Sequence, residues 1–237
     1  MRIKLLLLIS IFILLSTNGF SQTSTNPKNN NLEFSTGFNS GSLKNLEFAP
    51  VSRYDYDGLF YRLNYERKSR NENLFEIQVD YLTTELKSDA IPQLNTDYSK
   101  IGLGFSYLKQ IFDKDAFSIH LGLQSQTTAS LYRDNYYLVD QEFGIASRFT
   151  YWLNEKQHLT SKLTIPLVLI RLRGDNGLDA YLVNRYQSAL WNLEYGYSIS
   201  NNFGIHLSYD FKYNRLQIPN AFRELQHQVN LGINYKF

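Results

Sequence analysis

The sequence predicts an all-β protein, a transmembrane antiparallel up-and-down β-barrel of about ten strands, with eight or twelve as the neighbouring solutions. Three observations carry that prediction. The final stretch, Leu225 to Phe237, alternates strictly: Val229, Leu231, Ile233, Tyr235 and Phe237 share one parity, and Gln228, Asn230, Gly232, Asn234 and Lys236 share the other. A strand so built has one apolar and one wet face. The same two-faced pattern recurs in stretches centred at 32–39, 59–66, 75–82, 100–107, 117–124, 144–151, 162–169, 191–198 and 203–210. Between them, long gaps near 40–57, 86–97, 127–140, 172–186 and 214–223 alternate with short ones near 68–72, 111–115, 153–157 and 199–202. Membrane barrels have that asymmetry, with tight turns at one end and longer loops at the other.

Taken in order, Met1 to Ser21 reads as a secretory signal. Arg2 and Lys4 are its basic start, and Leu5 to Leu15 is an apolar run too short to cross a bilayer as a helix, which takes about 20 residues. Gly19 and Ser21 are the small residues of a cleavage site. The polar, Asn-rich segment over 22–31 has no periodicity and reads as a lead-in. The barrel occupies 32–237. Without Arg2 and Lys4, Lys+Arg falls from 24 to 22 against 22 Asp+Glu, so the mature chain is formally neutral and a nucleic-acid partner is disfavoured. With no cysteine, disulfides, thiolate metal sites and a lipid-modified N-terminal Cys are excluded. No cofactor-binding or metal-binding motif is present in the pattern.

Along the strands, the face containing Leu59, Ile77, Phe105, Leu121, Ile165, Trp191, Ile205 and Leu231 is apolar at all but Thr36 and Ser147. The opposite face is apolar only at Phe60, Leu82, Ala146 and Val168. In a barrel the first face meets lipid and the second the lumen. Gly37, Gly102, Gly104, Gly122, Gly144, Gly196, Gly204 and Gly232 fall on the inward face, where a narrow barrel is crowded. Tyr65, Tyr107, Tyr151, Tyr197 and Tyr235 end alternate strands on the lipid side, as an interfacial girdle would. Pro166 lacks a ladder donor and predicts a bulge in the seventh strand.

The terminal aromatic and the patterning resemble outer-membrane β-barrel proteins of Gram-negative bacteria, porin-like and OmpA-like in kind. The resemblance implies that Leu231, Ile233, Tyr235 and Phe237 are read by the barrel-assembly machinery. It also implies a location among outer-membrane lipids and lipopolysaccharide, with both termini periplasmic.

Inside the barrel, Arg62, Glu66, Glu76, Asp80, Lys100, Arg148, Lys162, Glu194, Asp210 and Lys212 form the expected charge network. Barrels this narrow are filled by their own side chains, and buried charges need partners. A lumen plugged by ion pairs and amide hydrogen bonds follows, with a narrow channel as the alternative. An enzyme is less favoured: His206 and Ser208 repeat the His-x-Ser spacing of a lipid A deacylase family, but Tyr209 stands where that family has Asn. For binding an extracellular ligand, the expected loop residues are Tyr54, Tyr56, Tyr132, Arg133, Tyr136, Arg173 and Tyr181, because aromatics beside Arg anchor interfaces. The resulting expectation is a non-enzymatic protein with a structural or surface-binding role.

Overall fold

In the computed structural model, residues 29–46, 53–132, 136–174, 177–217 and 221–237 are described. The signal segment, most of the polar lead-in and Arg133 lie outside them. The strands are β1 (Asn30–Asn45), β2 (Tyr54–Lys68), β3 (Leu74–Ser88), β4 (Thr96–Lys114), β5 (Phe117–Tyr132), β6 (Tyr137–Asn154), β7 (Gln157–Arg173), β8 (Leu178–Leu182), β9 (Tyr186–Ser198), β10 (Phe203–Leu216) and β11 (Phe222–Lys236). Consecutive strands pair antiparallel, except that β9 pairs with β7 rather than with β8. The ring closes where β1 pairs β11, from Asn31 opposite Lys236 to Asn45 opposite Phe222. Short β8 is a hairpin extension of β7, and β9 takes over β7's lower half, so ten strands build the wall.

Both termini lie at one end, where Asn30 and Phe237 exchange backbone hydrogen bonds. Tight turns close that terminal end, and two of them use left-handed backbone at Glu72 (φ 60) and Asp115 (φ 53), the conformation that short hairpin turns require. Pro166 sits at the expected irregularity: β6 and β7 slip register between Phe143 and Gly144, opposite Val168 and Pro166. The slip exchanges the faces beyond it. Leu169 is therefore buried inside the barrel, and the inward position expected for Val168 is corrected to its neighbour.

The strands run farther than their sequence centres. At 13 residues or more, apart from β8, they exceed the 9–11 that cross a bilayer. The gaps read as long loops are partly strand, and their long-versus-short contrast is reduced accordingly. At the loop end the faces invert. Asp55, Asp57, Glu85, Lys87, Asp97, Arg215 and Arg223 point outward, while Leu43, Tyr54, Tyr56, Leu86, Tyr98, Tyr132, Tyr186, Leu216 and Phe222 are buried inside. Nearer the termini, Phe34, Leu59, Leu63, Ile101, Phe105, Ile145, Ile165, Leu207 and Leu231 are exposed on the outer surface and the inward face is polar. A wall facing hydrocarbon must be oily outside, and one facing water must hide its apolar atoms within. The inversion marks the height at which the strands leave the apolar belt.

Candidate functional site: a polar chamber behind an apolar plug

The plug is the loop-end core. Its aromatic members form a chain of tilted rings, Tyr56 to Tyr98 at 6.0 Å, Tyr98 to Tyr132 at 5.1 Å and Tyr132 to Tyr136 at 5.4 Å. Of the residues expected to form a loop-borne binding surface, Tyr54, Tyr56, Tyr132 and Tyr181 instead stand on strands with their rings inside. Tyr136 packs partly buried against the same core. Arg173 ends β7 and pairs with Asp179. Arg171, only 1% exposed, is fixed in the plug by two hydrogen bonds to Asp140, at 2.7 and 2.8 Å, and lies 4.6 Å from the Phe222 ring centroid. That satisfies a guanidinium which burial alone would penalise heavily.

Below the plug lies a cavity of 540 Å³. It reaches the terminal end, where Asn30, Glu72, Asp113, Ser198 and Lys236 line it, and stops toward the loops at Phe60, Leu82, Thr128 and Leu190. The boundary between plug and chamber is chemical: Tyr56 donates to Glu224 at 2.8 Å, and the same carboxylate oxygen accepts from Lys100 at 2.6 Å.

Charged side chains brace the chamber. Arg62 reaches Asp80 at 2.9 Å and Asp210 at 3.1 Å. Arg148 contacts Glu66 and lies 2.8 Å from Glu76, which also takes Lys162. Lys212 lies 3.8 Å from Glu142. The pairs Arg148–Glu66, Lys162–Glu76 and Lys100–Glu224 each join strands four places apart in the ring of ten, so they cross the lumen rather than run along its wall. Amides fill in around them: Asn192 and Asn230 both donate to Asp210, and Asn39 donates to Gln228. All ten residues of the expected charge network thus line the interior. Glu194 lies in its terminal-end part, 3.7 Å from His158.

Glu142, Glu224, Asp140 and Arg171 are partners that sequence reasoning missed. Each falls beyond the stretches read as strands; the alternation continues through Asp140, Glu142 and Glu224, while Arg171 lies past the slip at Pro166, where the inward parity is exchanged. His206 and Ser208 do not act on one another: His206 Nε2 is 3.1 Å from Glu33, and Ser208 Oγ accepts from Asn230 at 3.2 Å.

On the outside, Leu231, Ile233, Tyr235 and Phe237 are exposed along β11. Tyr235 stacks against Phe237 at 5.8 Å and tilts against Phe203 at 4.9 Å. Tyr107 and Tyr151 are exposed at the same end.

No family model matches the chain, and no curated protein matches it. The solved structures it resembles are outer-membrane β-barrel proteins. The translocator domain of the autotransporter NalP from Neisseria meningitidis shares 9% identity at a TM-score of 0.49, over 97% of this chain and 95% of that one. An outer membrane channel from Pseudomonas putida F1 shares 10% at 0.42, over 92% and 98%. Neisserial surface protein A shares 11% at 0.40, over 87% and 97%.

Proposed function

We propose that this chain is a non-enzymatic outer-membrane β-barrel, closed toward the cell exterior, with its termini and chamber mouth in the periplasm and a structural or surface role through its projecting rim. The observation that carries the reading is the face inversion. A lipid-compatible belt surrounds a polar chamber, and beyond it a hydrophilic collar encloses an apolar core of tyrosine and leucine. An ion crossing that core would lose its water without compensating ligands. Outer-membrane lipids and lipopolysaccharide would surround the belt, and the assembly machinery would act on the β11 end. Any external ligand would meet the outward charged collar, since the tyrosines expected for that task are turned inside.

Incorporation of the purified barrel into a planar bilayer tests the closure. The expected result is no discrete conductance steps. Steady single-channel openings would overturn it and favour the second reading, a narrow channel, for which the 540 Å³ polar chamber is the supporting observation.

A further inference from the structure

Near the terminal end of the chamber, four strands bring two carboxylates and two imidazoles together: Glu33 on β1, His158 on β7, Glu194 on β9 and His206 on β10. Register explains the convergence. His158 and His206 both stand opposite Gly196, while Glu194 stands opposite Thr160 and Ser208 on the same two neighbours. Ligand atoms of Glu33, Glu194 and His206 all lie within 4.8 Å of one another. His158 Nε2 is 3.7 Å from Glu194.

From this geometry we propose that Glu33, Glu194 and His206 bind a divalent first-row transition cation of the zinc class, with His158 or water in the fourth position. Three independent features support the site. The first is charge. Among the described residues, the ion pairs of Glu33 and Glu194 are with His206 and His158 alone, whereas Arg62 and Arg148 are each occupied by two other carboxylates. Two carboxyl groups therefore face one spot with no Lys or Arg, among the described residues, in ion-pair contact with either.

The second feature is an unmet demand for partners. His206 is only 4% exposed, yet neither ring nitrogen has a hydrogen bond, and Nδ1 of His158 also lacks one. Nε2 of His206 approaches Glu33 to 3.1 Å but is misaligned for a hydrogen bond. Buried polar atoms are nearly always satisfied, so clustered exceptions point to a missing partner. Ligands at about 2.1 Å in a tetrahedron stand about 3.4 Å apart, and the observed 3.1 and 3.7 Å bracket that edge.

The third feature is that space has been made for the rings. A Cβ on Gly232 would lie 2.2 Å from Cε1 of His206, and one on Gly196 would lie 2.2 Å from Cε1 of His158. Both imidazoles rest on bare backbone. The mixed imidazole and carboxylate set suits zinc and its neighbours better than calcium or magnesium, which prefer all-oxygen sites. Glu33, His158, Glu194 and His206 also line the cavity, so a hydrated ion has a route from the terminal end.

The test uses the untagged full chain, purified as a folded barrel in detergent and equilibrated with zinc chloride. Elemental analysis after desalting should find one zinc per barrel. Chelator competition should show binding at least about 10-fold weaker in both Glu194→Gln and His206→Ala, since losing a ligand should cost no less than losing one of its outer supports. His120→Ala, elsewhere in the lumen, should bind as the parent does. Zinc-edge absorption spectroscopy of the parent protein gives a readout independent of variant folding: a first shell near about 2.0–2.1 Å with imidazole scattering is expected. Absence of saturable binding, parental affinity in both variants, or an oxygen-only shell would overturn the proposal.

Discussion

Replacing Arg148 with Met tests whether the cross-lumen braces stabilise the barrel or merely decorate it. Arg148 is the ion-pair partner of Glu66 and shares Glu76 with Lys162. Its loss leaves Glu66 as a carboxylate inside the wall without its cation, while Glu76 keeps one. Removing one partner of a buried pair costs about 3–5 kcal/mol, and water in the chamber should offset part of that, leaving about 2–3 kcal/mol. The assay is urea unfolding of the barrel in phosphocholine vesicles, followed by tryptophan fluorescence and by gel mobility without boiling. In Glu66→Gln/Arg148→Met the orphaned charge is gone, so the double variant should be no less stable than Arg148→Met alone. A loss below about 0.5 kcal/mol in Arg148→Met, the range of an uninvolved surface site, would refute the bracing role. Strict additivity in the double variant would refute the coupling.

Three further outcomes are expected. Leu86 is fully buried in the plug, and Leu86→Ala should lower unfolding stability by about 2–5 kcal/mol, as cavity-forming core truncations do; an unchanged urea midpoint would contradict a packed plug. Of the two tryptophans, Trp191 is exposed on the outer surface at 39%, whereas Trp152 turns to the lumen side at the chamber mouth, its ring 4.9 Å from that of His158. Brominated lipids should therefore quench Trp191 in Trp152→Phe strongly, most of all with bromines deep in the chain, and quench Trp152 in Trp191→Phe far less; a Trp191 signal indifferent to bromination would remove the membrane placement. Deleting Phe237 should reduce the amount of folded, heat-modifiable barrel recovered from the outer membrane, and normal levels would deny the terminal aromatic its assembly role.

Strand identity and facing are local properties, and alternation announced them. Residues 228–235 and 203–210 showed their lipid and lumen sides because each residue's side is set by parity alone. The same rule was present in Tyr54-Asp55-Tyr56-Asp57, but there the polar residues point out and the tyrosines in. Aromatic residues mixed with charged ones, beyond the expected membrane span, resemble a loop unless an inversion of faces is considered. The Pro166 bulge was legible, since a missing donor is a property of one residue. Its displacement of the inward position from Val168 to Leu169 was not, because that depends on which partner residues slip.

By itself the sequence determined that this chain forms a two-faced antiparallel wall, with its oily side outward and its last residue in the last strand's lipid-facing row. Only the tertiary structure decided what the interior does. Whether Arg148 reaches Glu66, Lys100 reaches Glu224, or Glu33, Glu194 and His206 share one spot depends on ring closure and register. Periodicity tells each side chain which way to point. Only the closed circumference tells it what stands opposite, and here that separates an apolar core at one end from a charged chamber.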